Sequence, residues 1–320
     1  MKVIIERSSY MHKPTKYIAA GIKYLTNADY RFLLDSARGK YNSMPDEEYL
    51  RRRFKAVFGR ELDLDNPITL NEKLQWLKLY NRRPEYTTYV DKYEVRAYIK
   101  KMIGEKYLIP LLGVWDKAED IDFESLPNQF VLKCNHNSGL GMCICKDKSK
   151  LDIDKARYEL NKGLQQNYFL YSREYPYRDV KRRIIAEKFM QDRDRGELTD
   201  YKLQCFNGKF DSVFLCEGRF SSRGVRYHYF DRNWNYLPYC PYPDLDVSEL
   251  KKLRPQNYDE MISIAEKLAK GIPEVRIDLY EINGQVYFGE MTFFSQSGWD
   301  TDITYEADKI MGERIVLPQK

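Results

Sequence analysis

Residues 275–294, "VRIDLYEINGQVYFGEMTFF", carry ionisable side chains where a plain core strand would have none. Side chains alternate along a strand, so Arg276, Asp278 and Tyr280 share one face, and Phe288, Glu290 and Thr292 share one face of the next run. If the two faces coincide, two carboxylates and a guanidinium gather over one patch. Carboxylates side by side repel unless a cation intervenes. An all-oxygen set suits Mg²⁺, which keeps waters and bridges substrate phosphates. Arg276 would then steady a phosphoryl group in transfer. Register decides whether the faces meet. A strict two-residue Asn283-Gly284 turn sets Asp278 opposite Gly289 and Ile277 opposite Glu290, which sends the carboxylates to opposite sides. A metal site therefore requires a one-residue shift, through a longer loop or a β-bulge. Val275, Ile277 and Leu279 then pack behind the sheet with Met291 and Phe293.

A second stretch, "FVLKCNHNSGLGMCIC" at residues 130–145, interrupts an apolar hairpin with Lys133 and a loop of small residues. Either the loop covers a phosphate or it is only a turn. Backbone amides of a glycine-containing loop can follow an anion closely, with Lys133 supplying a charge the loop lacks. There is no GxxxxGK[ST] loop in the chain. His136 fits a substrate contact or a loop histidine satisfied by its neighbours. Glu187, inside "IIAEKFM", is a third ionisable group in a strand-like run, and it needs a partner or a solvent face.

These groups need a sizeable scaffold. The chain has 320 residues, 43% hydrophobic and 14% aromatic with 27 Tyr, enough for two or three subdomains and too apolar for disorder. Lys and Arg total 53 against 48 Asp and Glu, a net +5; that describes a mixed solvated surface and gives little ground for a nucleic-acid partner. No stretch approaches the length of a spanning helix, and "MKVIIERSSY" has too short an apolar core for a signal peptide. Six Cys without a CxxC pair, mostly inside apolar runs, read as reduced core thiols of a cytoplasmic protein.

The first 105 residues read as helical. "MPDEEYLRRRFKAVFG" offers Asp46 as a cap and Gly59 as a stop, and "TLNEKLQWLKLYN" sets Thr69 and Glu72 at capping-box spacing. "YTTYVDKYEVRAYIKKMIG" reads as one further helix ending before Gly104. From "YLIPLLGVWD" to about residue 150, short apolar runs alternate with turns. "DKARYELNKGLQQNYFLYS" restores helical spacing, and "RRIIAEKFM" is a buried strand. "DYKLQCFNGKFDSVFLCEG" is a hairpin turning at Asn207-Gly208. "NYDEMISIAEKLAKGI" is a helix with Met261, Ile264, Ala265 and Leu268 inward. That order gives an α+β fold built of lobes.

Taken together, "DKYEVRAYI", "YLIPLLGVWD", "LPNQFVLKCNHNSG", "IIAEKFM", "DYKLQCFNGK" and "VRIDLYEINGQVYFGEMTFFSQSG" resemble the ATP-grasp ligases. The narrower resemblance is to the TupA-like ATP-grasp proteins of bacterial surface-polysaccharide gene clusters, over roughly residues 45–300. It implies an ATP-grasp fold, two α+β lobes clamping ATP, with a helical N-terminal region at 1–105, a small lobe at 106–186 and a large lobe at 187–320. It also implies a reaction, in which a carboxylate is activated as an acyl phosphate that an amine then attacks. Residue by residue, the resemblance implies that Lys133 reaches the α/β-phosphates beneath a mobile loop containing Asn137, Ser138 and Gly139, with Lys92 as a second phosphate lysine. Glu187, Lys188, Phe189 and Met190 would meet the adenine, Asp200 the ribose, and Lys202 the γ-phosphate. Arg276 would serve the phosphoryl group, and Asp278 and Glu290 would hold Mg²⁺. Family members often carry Asn where Thr292 stands, a weaker neutral ligand here.

The leading expectation is a ligase joining an amino acid to a uronic-acid-containing capsule or cell-wall polysaccharide or its precursor, with peripheral contact to membrane-bound polysaccharide machinery. "EGRFSSRGVRYHYFDRNWN" offers Arg219, Arg223, Arg226 and His228 to an anionic or sugar substrate, or is a solvated loop. A kinase acting on a sugar or amide would use the same nucleotide site. A glycosyltransferase, for which "DLD" at 244–246 is the available acidic motif, and a non-catalytic glycan-assembly protein are the remaining classes.

Overall fold

The computed structural model describes residues 13–192, 198–217, 225–243 and 245–320. Six helices come first: α1 (Lys13–Thr26), α2 (Ala28–Ala37), α3 (Asp46–Phe58), α4 (Leu70–Tyr80), α5 (Glu85–Val90) and α6 (Val95–Met102). Gly59 closes α3 at φ 69°, a left-handed conformation that costs glycine least. Asp46 is not the cap. Pro45 takes that position without a side-chain bond, and the Asp46 carboxylate instead accepts from Arg82 at 2.8 Å. Thr69 and Glu72 do form the reciprocal capping box at the head of α4.

The single helix read over residues 86–104 is broken at Asp91-Lys92. The Asp91 carboxylate accepts the Tyr93 and Glu94 amides at 2.8 and 3.2 Å and the Asn135 side-chain amide at 2.8 Å. These bonds satisfy groups that a continuous helix would have paired. The Lys92 amide donates to the Asn135 carbonyl at 3.1 Å, so the break docks on the 135–141 loop and turns Lys92 out of the helical array.

A four-stranded antiparallel sheet follows, with β1 (Leu111–Trp115), β2 (Phe130–Cys134), β3 (Met142–Cys145) and β4 (Ile184–Lys188) in the order β1-β4-β2-β3. Phe130, Leu132, Cys134 and Ala186 pack behind it on Ala156 and Leu160 of α7 (Ile153–Gln165). The helical run read through residue 172 divides before a short α8 (Tyr168–Ser172). β4 passes through the expected lobe boundary at residue 186 and stays in the small sheet to Lys188.

The larger sheet has six strands in the order β10-β9-β5-β6-β7-β8. These are β5 (Asp200–Phe206), β6 (Lys209–Glu217), β7 (Arg226–Phe230), β8 (Tyr236–Leu237), β9 (Glu274–Ile282) and β10 (Gln285–Thr292). Its hairpins turn at Asn207-Gly208 and Asn283-Gly284, all four residues at φ between 50° and 78°, as two-residue turns of this type require. After the short α9 (Val247–Lys251), α10 (Tyr258–Ala269) covers one face with Met261, Ile264, Ala265 and Leu268 buried, and α11 (Tyr305–Glu313) packs on α4. The described core residues of the N-terminal helices merge with those of the large sheet. Leu50, Phe54, Leu74 and Leu77 belong to the same buried cluster as Leu203, Ile277 and Met311. All six cysteines are free. Among the described residues, no helix is long and apolar enough to cross a membrane.

Candidate active site

The β9–β10 ladder begins in two-residue register, Ile282 opposite Gln285, and keeps it to Leu279 opposite Phe288. Gly289 is then left over, and pairing resumes with Asp278 opposite Glu290 and Arg276 opposite Thr292. A bulge therefore supplies the shift that brings the carboxylates together. It also corrects one assignment: Phe288 pairs with Leu279 on the core side, not on the face of Glu290 and Thr292. A Cβ on Gly289 would stand 2.9 Å from the Tyr280 ring and 3.0 Å from the Asp278 carbonyl oxygen. Val275, Ile277, Leu279, Met291 and Phe293 are buried behind.

Strand β5 completes the face by setting Lys202 opposite Asp278 and Asp200 opposite Tyr280. Arg276 grips Asp278 bidentately, at 2.6 Å to Oδ1 and 2.8 Å to Oδ2. One of its terminal nitrogens also donates to Glu290 at 3.1 Å and to the Thr292 hydroxyl at 3.0 Å. Lys202 bonds Asp278 and lies 2.6 Å from Asp200, and Lys92 Nζ stands 3.6 Å from Glu290 Oε2. Three cations thus balance three carboxylates. Burial opposes ionisation of Glu290, but Lys92, Arg276 and Lys202 outweigh it and hold its carboxyl below the usual range. Burial pushes Asp278 upward, while Arg276 and Lys202 pull it back; the two-toothed Arg276 contact is one that only the ionised form accepts on both oxygens.

Among the described residues, no group of three or more His, Cys, Asp or Glu side chains is arranged to hold a metal ion by itself. Mg²⁺ is commonly bound through one or two carboxylates with substrate phosphates and water supplying the rest. Asp278, Glu290 and Thr292 are hard oxygen donors on one face, so the donor set fits.

The small sheet presents a second candidate face. Lys133 Nζ pairs with Glu187 at 2.6 Å, and Arg96 of α6 meets the other Glu187 oxygen at 3.3 Å. Register puts Val131 beside Glu187 and Ile144, and Lys133 beside Met142, so these residues share one side. Met142 and Ile144 are 49% and 50% exposed, which gives this face an uncovered apolar floor. Sequence reasoning missed Met142, Ile144 and Arg96; the alternation of "MCIC" was the available signal. The Lys188 amide is taken by the Pro110 carbonyl at 2.9 Å. Lys188 is exposed, and Phe189 and Met190 are half-buried at the exit from the small sheet.

Lys92 joins the two faces, since its ammonium also donates to the Asn137 carbonyl at 2.8 Å. Asn137 is buried and bonds the Gly163 carbonyl at 3.1 Å, whereas Ser138 and Gly139 are exposed. His136 is buried, 3.1 Å from the Gln166 carbonyl, and burial pushes it down to about 4. Its ring is thus held neutral within the loop. Arg219 and Arg223 lie outside the described residues, as does Asp244. Arg226 stands over the Tyr242 ring at 5.2 Å, and His228 is buried 3.0 Å from Glu217. Both lie on β7, beyond β5 and β6 from the carboxylate pair.

The turn after β10 was also missed. Phe294, Gln296, Ser297 and Gly298 are all left-handed, with φ between 51° and 63°, and non-glycine residues adopt that conformation only when their surroundings impose it. Lys78 of α4 holds one carbonyl of this turn. Its ammonium, 0% exposed, donates to Gln75 Oε1 at 2.9 Å, the Ser172 carbonyl at 2.9 Å and the Ser297 carbonyl at 2.7 Å. Burial lowers the Lys78 pKa, while the neighbouring Glu174 carboxyl, itself pushed up by burial, pulls it back. The unfolded chain therefore binds protons more readily at this lysine, which adds stability as pH rises towards the ordinary lysine value. Lys78→Met is expected to be less stable by about 2–4 kcal/mol in urea unfolding, because three acceptors lose their donor. Its stability should also lose the wild-type rise towards the ordinary lysine value.

A family described as TupA-like ATPgrasp matches residues 72–316. No curated protein matches the sequence. Among solved structures, a D-alanine–D-alanine ligase from Helicobacter pylori is 15% identical over 76% of this chain and 66% of its own, with a TM-score of 0.43. One from Bacillus anthracis complexed with ATP is 17% identical over 64% of this chain and 55% of its own, with a TM-score of 0.38. A D-alanyl-alanine synthetase A from Vibrio cholerae is 13% identical over 78% and 63%, with a TM-score of 0.37. The chain spans 55% to 66% of the length of these three proteins.

Proposed function

The chain belongs to the TupA-like ATP-grasp family, and from that premise and the chemistry of the cleft we propose that it is an ATP-dependent ligase activating a carboxylate as an acyl phosphate. The observation that carries this reading is the facing of Asp278 and Glu290 across the Gly289 bulge, with Arg276 between them. Each cation of the cleft is held by a carboxylate. A triphosphate offers oxygens of higher charge, so Lys92, Lys133, Lys202 and Arg276 exchange partners when it binds. That exchange leaves Asp278, Glu290 and Thr292 as donors for Mg²⁺, which when bound neutralises phosphate charge. Glu187, released by Lys133, is free to accept from a purine amino group above the floor of Val131, Met142 and Ile144. Asp200 takes the ribose. The exposed loop tip at Ser138-Gly139 closes over the phosphates, with Asn137 as its anchored root.

In the reaction a carboxylate oxygen attacks the γ-phosphorus and ADP leaves. The amine then adds to the acyl carbon, phosphate departs with the bonding pair, and a proton is lost from nitrogen. Arg276 stabilises charge on the transferring group. The finer reading is that the carboxylate belongs to a uronic-acid unit of a surface polysaccharide or its precursor and that the amine is an amino acid. Its support is the resemblance to proteins of surface-polysaccharide gene clusters.

Calorimetry with ATP and Mg²⁺ tests the nucleotide site. Binding is expected, weakened roughly tenfold or more in Lys133→Met, since a charge-assisted contact contributes about 1.5–3 kcal/mol. Folded wild-type protein that binds no Mg-ATP would sink the proposal. Product analysis then separates ligase from kinase, because a ligase releases free phosphate with ADP and a kinase leaves a stable phosphorylated product.

A further inference from the structure

Arg96 of α6 is a half-buried cation with no part in the exchange at the phosphates. Two groups hold its guanidinium. One terminal nitrogen stands 3.3 Å from Glu187 Oε1, and the other donates to the Ile109 carbonyl at 2.8 Å. The second carboxylate oxygen, Oε2, meets Lys133 at 2.6 Å. The two oxygens of Glu187 therefore answer to different elements, Oε1 to α6 and Oε2 to β2. The Ile109 carbonyl is a fixed acceptor, because residues 105–110 are stitched to the large lobe. Leu108 bridges to Phe288 of β10, Gln285 donates to the Lys106 carbonyl at 2.8 Å, and Tyr107 donates to Glu260 of α10 at 2.6 Å. One residue on, the Pro110 carbonyl takes the Lys188 amide at 2.9 Å, directly after Glu187. Arg96 is thus tied to pinned backbone as well as to the carboxylate.

When Lys133 turns to a phosphate, Oε2 opens towards the cleft while Oε1 stays with the guanidinium. An ionised carboxylate held this way can only accept a hydrogen bond. Against a purine it accepts from a 6-amino group and repels a 6-oxo group. That selection depends on the cation left behind, since Lys133 and Arg96 are the cations paired with Glu187 among the described residues. The Glu187 side chain is 10% exposed, and a carboxylate so enclosed with no cation beside it neutralises or turns out to water. A neutral carboxyl donates to a 6-oxo group as readily as it accepts from a 6-amino group, and a displaced one does neither.

We propose that Arg96 is a positioning residue that sets the purine preference of the cleft, by keeping Glu187 charged and aimed once Lys133 has left it. The inference rests on the reading of Glu187 as the purine contact, and its test needs no turnover. The β,γ-imido analogues of ATP and ITP, which differ in carrying an amino or an oxo group at purine C6, are titrated into the full chain with Mg²⁺ by calorimetry. Wild-type protein is expected to bind the adenosine analogue about tenfold more tightly or better, as a hydrogen bond to a charged group allows. Arg96→Met keeps the stem and removes the charge, and should bring the two affinities within about threefold of each other, chiefly by weakening the adenosine analogue. Arg96→Gln retains a donor for the Ile109 carbonyl and should narrow the ratio in the same way; it carries the test if Arg96→Met does not fold. A role confined to packing would weaken both analogues alike, so an unchanged ratio in a folded variant would overturn the proposal. Equal binding of the two analogues by wild-type protein would overturn it too, with the nucleotide site itself intact. Binding of neither analogue would instead overturn the nucleotide reading, and the inference with it.

Discussion

Asp278→Asn is expected to abolish turnover and to destabilise the protein by about 3–5 kcal/mol, whereas Glu290→Gln abolishes turnover at a stability cost of about 1 kcal/mol or less. The two carboxylates face each other, yet they carry different structural loads. The Asp278 side chain is 3% exposed and receives the Arg276 fork and Lys202. Without its charge, two buried cations keep only Asp200 and Glu290. The Glu290 side chain is 30% exposed, open enough for water to screen the cations it leaves behind. Both variants should lose phosphate release by a factor of about 10² or more, as removal of one preorganised electrostatic group commonly does. Urea unfolding beside a phosphate-release assay separates the two effects. Equal destabilisation would show that Asp278 is not the anchor of the charge network. Normal turnover in either variant would place the metal elsewhere.

Local chemistry made much of the scaffold legible. Two Asn-Gly turns, the Thr69/Glu72 capping box and the inward stripe of α10 follow from rules that act within a few residues. The failures have long-range causes. "VDKYEVRAYI" continues a helical period, so nothing in it announces the break at Asp91-Lys92. The partner that stabilises the break, Asn135, lies 44 residues away. Lys78 sits in a helical run where it reads as an ordinary amphipathic position. What sets it apart is that three segments converge on it, α4, the Ser172 carbonyl and the turn after β10, which no local pattern encodes. The candidate site shows the same division. Alternation found Asp278 and Glu290, and counting from the turn showed that one residue was in excess. The count could not say which residue would be extruded. Gly289 takes that place because every neighbouring position on β10 carries a side chain assigned to one face.

That reasoning leads to an unusual ordering of variants at position 289: filling the bulge should do more harm than deleting it. In Gly289→Val the new Cβ meets the Tyr280 ring at 2.9 Å and the Asp278 carbonyl oxygen at 3.0 Å. The ring can swing aside, but the carbonyl belongs to the backbone of the carboxylate residue itself. One escape is to straighten the ladder, with the substituted valine taking the place opposite Asp278. Glu290 then falls opposite Ile277, which is 0% exposed, and an unpaired carboxylate enters the core. Either way the cost is about 2–4 kcal/mol, and turnover should fall by about 10² or more. Deleting Gly289 leaves Phe288 opposite Leu279 and Glu290 directly opposite Asp278, on consecutive residues of a regular strand. The faces are then correct without any bulge, so the deletion should stay within about 1–2 kcal/mol of wild type and retain measurable phosphate release. Unfolding curves and turnover for the two variants decide the matter. Equal loss in both would show that the bend at the bulge, and not the facing of the carboxylates alone, is what the site requires.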